Sequence, residues 1–200
     1  PAPLFTNRSM ALALFLILGS AAWRVAGVYV PEMSNFAPLM ALTFCGAVYF
    51  RDRRLWLVPF AALLLSDLYI DWHYATHLGY TWGAGDAVIR LACFAAGLGL
   101  GRLVAARRSW LNLFSGALGG SLLFYLVTNT SVWAGDPFYA KTAAGWWQAM
   151  TIGHPEFQPT LVFFRNTLLS DLGFAAAFVA VMEWSGRRAG QPGLLGRTTA

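Results

Sequence analysis

The chain alternates long apolar runs with short polar stretches, and six of the runs approach the length at which a helix crosses a bilayer. A span needs about 20 mostly apolar residues, fewer where the helix lies against protein. The runs cover approximately residues 10–30, 36–50, 55–70, 87–106, 111–133 and 160–184, the second and third being short. This pattern predicts an all-α, polytopic membrane protein, with a six-transmembrane-helix bundle over residues 1–186 and a basic tail over residues 187–200. The first run follows Arg8, but no small-residue cleavage pattern comes after it and five more runs do, so it reads as a retained helix.

Composition strengthens that reading. Of 200 residues, 58% are hydrophobic and 12% charged, with nine Trp and fifteen Phe, which are not the proportions of a soluble domain. The net charge of +5 implies no nucleic-acid partner, because the Arg residues cluster between apolar runs where a bilayer would put them. Ten of the fourteen Lys and Arg fall on one side of the six-span pattern: Arg8, Arg51, Arg53, Arg54, Arg102, Arg107, Arg108, Arg187, Arg188 and Arg197. Basic connections stay in the cytoplasm, so both termini are expected inside, in a bacterial inner membrane. The opposite connections hold Arg24 and Lys141 among bases and Glu32, Asp71, Asp86, Asp136 and Glu156 among acids.

Two external connections, residues 71–86 and 134–159, are long and rich in Trp, Tyr, His and Gly. Either their aromatic residues form an interfacial belt or they build a binding surface. In the first of them, Asp71, Trp72, His73, His77, Tyr80 and Trp82 gather stacking, ligating and hydrogen-bonding groups without one Lys or Arg, and this segment is expected to form part of a substrate site.

Polar residues inside the runs carry the remaining signal. Leu64-Leu65-Ser66-Asp67-Leu68 recurs as Leu168-Leu169-Ser170-Asp171-Leu172, in the third run of each half, as in transporters built from inverted repeats. A carboxylate within a span costs about 2.5 to 3.5 kcal/mol unless it faces protein, water or a partner. Asp67 and Asp171 are therefore expected to point inward, with Arg90 and Arg165 as candidate partners and substrate or ion contact as the alternative. Asn129 and Trp133 near the end of the fifth run, Asn166 in the sixth and Tyr69 after Asp67 add groups that suit either a polar pocket or inter-helix hydrogen bonding. His73 and His77 are four apart and on a helix could hold a metal, or serve as ordinary interfacial polar groups, while Cys45 and Cys93 lack paired spacing and Cys93 reads first as a small buried apolar residue. No HExxH, GxSxG or Walker-type loop is present, and no His or Lys lies in a span to serve as base beside Ser66, so no enzyme and no cofactor are expected.

Asn35-Phe36-x-Pro38 opening the second run, Ser66-Asp67-Leu68 ending the third, and Arg165-Asn166-Thr167-Leu168-Leu169-Ser170-Asp171 in the sixth resemble the S-components of energy-coupling factor (ECF) transporters. These are small membrane subunits that capture vitamins, and the chain is similar to a group of transport proteins in that superfamily that includes solitary cobalamin-binding members. The resemblance implies a small-molecule substrate pocket on the external side, capped by residues 71–86 and 134–159, and release by toppling in the membrane. It also makes a corrinoid the first substrate to consider, as cargo rather than cofactor. An Ala-xxx-Ala docking pattern for an ECF energising module is missing from the start of the first run, where Ala11-Leu12-Ala13 stands instead, which leaves room for a solitary transporter. The contrasting expectation is a non-transporting membrane subunit that docks a partner protein or pigment on a flat aromatic external face.

Overall fold

The computed structural model describes residues 7–30, 35–50, 52–77, 79, 81, 83–188 and 190, and within them the chain is helical with no strand. Helices α1 (Asn7–Ala26), α2 (Leu39–Tyr49), α3 (Leu57–His77), α4 (Ala84–Ala106), α5 (Trp110–Gly135), α6 (Ala143–Thr151) and α7 (Thr160–Arg188) follow one another, with 3-10 turns at Gly27–Tyr29 and Arg53–Trp56. Five of them, α1, α3, α4, α5 and α7, are long and apolar enough to cross a membrane.

The expected second span is different in kind. Helix α2 has eleven residues, all buried, and at 1.5 Å per residue it is about 16 Å long. It is apolar all round because it is enclosed by other helices, not because it faces lipid. Close approach makes this possible: a Cβ on Gly97 of α4 would lie 2.5 Å from Thr43 Oγ1, and one on Gly101 would lie 2.5 Å from the Phe44 carbonyl oxygen. In lipid, where apolar burial gains little over the bilayer itself, such backbone proximity and internal hydrogen bonds hold helices together.

Side-chain pairings fix the directions. Arg24 meets Leu63 and Ser66 while Tyr29 meets Tyr69, so α1 and α3 run parallel. Helix α2 runs parallel to α7, with Ala41 against Asp171 and Tyr49 against Glu183. Helices α5 and α7 are antiparallel, since Ser121 meets Asp171 and Tyr125 stacks on Phe164. At one end of the bundle Arg102 lies over the Trp56 ring at 5.1 Å, which brings the end of α4 beside the start of α3.

Two segments read as loops are helical. Residues 71–77, expected in a connection after a span ending at 70, continue α3 to His77. Their polar side chains do not break the helix because Asp71 is held by Arg90 and Thr76 Oγ1 bonds back to the Trp72 carbonyl. Within the second connection, Thr142 caps the short helix α6 by accepting the Gly145 amide at 3.2 Å. Trp146 Nε1 then donates to Thr130 Oγ1 at 3.0 Å, and the Tyr125 hydroxyl to the Met150 carbonyl, fastening α6 to α5.

Candidate functional site

Every long helix contributes to one cavity of about 440 Å³ at the end of the bundle opposite Trp56 and Arg102. Its charged wall starts on α3, where Asp67 and Asp71 are four residues apart and so share a face. Asp67 receives Arg24 of α1 on one oxygen and Arg90 Nε of α4 on the other at 3.0 Å. Arg90 Nη2 then reaches Asp71 at 2.7 Å, and Arg24 Nη1 donates to Ser66 Oγ at 2.6 Å. Two guanidinium groups and two carboxylates thus form one neutral chain across three helices. Each charge has an oppositely charged, hydrogen-bonded partner, the condition under which ionised groups are tolerated at low dielectric.

The facing wall comes from α5 and α7. Tyr125 and Phe164 stack with centroids 4.3 Å apart, and Phe124, Phe163 and Phe157 extend that apolar surface around the cavity. Between the two walls, Asn35, Thr128, Asn129, Ser131, Gln158 and Thr167 supply uncharged donors and acceptors. Asn35 adopts a left-handed φ of 59°, which asparagine tolerates better than most residues, and its carbonyl accepts the Thr167 hydroxyl at 3.0 Å. Tyr139 and His154 line the cavity from the 136–158 connection, and Gly153, at φ 77° with Thr160 Oγ1 2.5 Å from where a Cβ would sit, turns that connection into α7.

Several residues anticipated from sequence meet here: Asp67, Asp71 and Asn129 all line the cavity. Others lie elsewhere. Asp171 is fully buried deeper in the bundle, where Oδ1 accepts the Ala41 amide at 2.9 Å and Oδ2 the Ser121 hydroxyl at 2.6 Å. It caps the start of α2, whose own preceding residue, Pro38, offers no side-chain cap. Its expected partner Arg165 is exposed and bonds to the Asn166 side chain instead, at 3.2 Å. Asn166 is thereby occupied near Arg165, off the cavity wall. Cys93 is buried in the hydrophobic core among α2 and α4 residues, consistent with its reading as a small apolar side chain. Tyr69, His73 and His77 form an aromatic cluster with Tyr29 on the outer side of α3, the two imidazoles stacked at 4.4 Å, because residues 69, 73 and 77 follow a different helical face from 67, 71 and 74. Trp133 braces the 134–142 turn by donating Nε1 to the Ala140 carbonyl at 2.9 Å. Tyr80 and Trp82 lie outside the described residues. Among those described, no three His, Cys, Asp or Glu side chains converge to hold a metal ion.

Arg24, Tyr125 and His154 are cavity residues that sequence reasoning did not single out, and Tyr74 joins them as one of the aromatic residues of the 71–86 segment. Arg24 carried the same signal as Arg90, a guanidinium against an apolar run, but its place near the end of the first run assigned it to a connection. A second concavity of about 430 Å³ lies between α1 and α7, lined by apolar side chains such as Phe15, Leu16, Leu169 and Phe174, and it lacks convergent charged groups.

No curated protein and no solved structure matches the chain. A family does, over residues 5–192, and the chain therefore belongs to the family described as a family of unknown function, DUF6580.

Proposed function

We propose that this protein binds and takes up a small organic micronutrient across a bacterial inner membrane, in the manner of a solitary S-component. The observation that carries the reading is the cavity, where charged, amide and hydroxyl groups converge against an aromatic wall. Volumes of about 300–1,000 Å³ with that mixture are typical of sites for compact organic ligands. A flat aromatic docking face, the contrasting expectation, would not need such a cavity.

The topology proposed with it has six crossings and both termini inside. Its support is that α1 and α3 run parallel, so the chain between them must return through the thickness of the bundle, and α2 with its flanking residues is the segment that does so. Arg54, Arg102, Arg107, Arg108, Arg187 and Arg188 lie toward the end opposite the cavity, as an external site and a cytoplasmic basic face require.

The cargo we propose is smaller than a corrinoid. A volume of about 440 Å³ favours a compact molecule over a macrocycle with a nucleotide tail, and neither Cys93, His73 nor His77 is among the described residues that line the cavity. Purification in a mild detergent followed by mass spectrometry of extracted small molecules tests the proposal. A stoichiometric compound should be retained by the native chain and lost from an Asn129→Leu variant of unchanged thermal stability. No retained compound, together with no saturable uptake into cells expressing the protein, would overturn it.

A further inference from the structure

We propose that the ligand of this cavity is a compact organic cation, an amine or quaternised nitrogen carried on an aromatic or similarly flat body; this rests on the cavity being a ligand site. The chain as a whole is basic, at +5, yet the cavity is lined by four carboxylates, Asp67, Asp71, Asp86 and Asp136, against two guanidinium groups. Arg24 and Arg90 are both committed to Asp67 and Asp71. That inner layer is neutral, and its cations are not available to an anionic ligand without breaking ion pairs in a poorly solvated site.

The excess negative charge belongs to Asp86 and Asp136, on α4 and at the end of α5. Asp86 uses Oδ2 to accept the Gly83 amide at 3.0 Å, and Asp136 uses Oδ1 to accept the Phe138 amide at 2.9 Å, which leaves each a second oxygen with acceptor capacity. Among the described residues no Lys, Arg or His nitrogen lies within 4.0 Å of either carboxylate. Lys141, the nearest lysine in sequence to Asp136, is drawn to the backbone carbonyls of Trp133 and Asp136 instead. His154 also lines the cavity, with the exposed Glu156 carboxylate 3.8 Å from its Nδ1. A concave, low-dielectric site with this balance concentrates positive ligands and repels negative ones. The stacked pair Tyr125 and Phe164 offers the complementary surface, since an aromatic face attracts a cation and stacks on a flat body.

Three probes that share a benzyl group and a tetrahedral head separate charge from fit: benzyltrimethylammonium, its neutral isostere neopentylbenzene, and the anion benzylsulfonate. Each is titrated into the full-length protein in detergent while tryptophan fluorescence is followed. The cation should bind about tenfold more tightly than either of the others, the scale expected of an unpaired carboxylate and an aromatic face acting together. Asp86→Asn and Asp136→Asn keep the amide-accepting oxygen, so thermal melting should be preserved while the preference for the cation falls severalfold in each. Equal affinity for the cation and its neutral isostere, a preference for benzylsulfonate, or a preference unmoved by both substitutions would overturn the inference and leave the cavity as a ligand site. Binding of none of the three, alongside no co-purifying compound, would overturn the site itself and the inference with it.

Discussion

The Leu-Leu-Ser-Asp-Leu sequence at 64–68 places an aspartate on the wall of an open cavity, whereas its copy at 168–172 places one among packed helices with no exposed surface. The local geometry is the same: Ser66 Oγ and Ser170 Oγ each donate to the carbonyl three residues back, at 2.9 Å. What differs is the surroundings. Asp67 meets two guanidinium groups from other helices, and Asp171 meets a hydroxyl and the amides at the start of α2. One motif therefore serves two ends. In the first copy it organises the charged wall of a cavity, and in the second it replaces a missing helix cap so that a short helix can stand at the centre of the bundle.

That contrast breaks down most directly at Asp171. Asp171→Ala should leave the Ser121 hydroxyl and the Ala41 amide without partners in a dry interior, at a cost of about 3 kcal/mol or more. A large drop in the thermal midpoint in detergent is expected, with Asp171→Asn, which retains an acceptor oxygen, losing roughly half as much. If Asp171→Ala melts like the parent, the capping role is wrong.

Asp67→Ala comes next. The two arginines it abandons border a cavity that water can enter, so the stability loss should be smaller, about 1–2 kcal/mol, while ligand retention falls at least tenfold. A double-mutant cycle of Asp67→Asn with Arg24→Gln should give a coupling of about 1 kcal/mol or more, because the two residues share one hydrogen-bonded pair. A coupling near zero would remove Arg24 from the network.

The serines sharpen the comparison at a finer scale. Ser121→Ala should cost about 1 kcal/mol by stripping one donor from a buried carboxylate. Ser66→Ala should cost less in melting experiments, since Arg24 keeps its bonds to Asp67 and to the Leu63 carbonyl. Smallest of all, His77→Ala should shift stability by less than about 0.5 kcal/mol and leave retention of the co-purified compound unchanged, because its ring packs outside the cavity and is exposed. Weakened retention in that variant would bring His77 onto the ligand surface, beside Asp71 and Tyr74, as the sequence first implied.

The bundle was largely legible in the chain, and the failures have identifiable causes. Four of the long helices end within a few residues of the apolar runs that predict them, and α3 overshoots because polar residues such as Asp71 and Tyr74 resemble a loop when their inward partners are unknown. That helix α2 is enclosed by other helices rather than by lipid was not legible, because an all-apolar segment looks the same whether lipid or protein surrounds it. The nine-residue helix α6 is too short for periodicity to reveal. Of the site, Asp67, Asp71 and Asn129 were recognisable as polar groups that a membrane would not tolerate facing outward, whereas Arg24, Tyr125 and His154 had nothing to set them apart.

The sequence by itself determined that this is a membrane-embedded helical protein and that Asp67 and Asp171 face inward, since the cost of placing a charge in hydrocarbon depends on the residue and its run alone. Tertiary structure decided what each aspartate does. Asp67 and Arg24 are separated by 43 residues of chain, and Asp171 and Ala41 by 130. No local pattern encodes those pairings, because they arise only when parallel and antiparallel helices pack closely enough for one side chain to complete another helix's charge or cap.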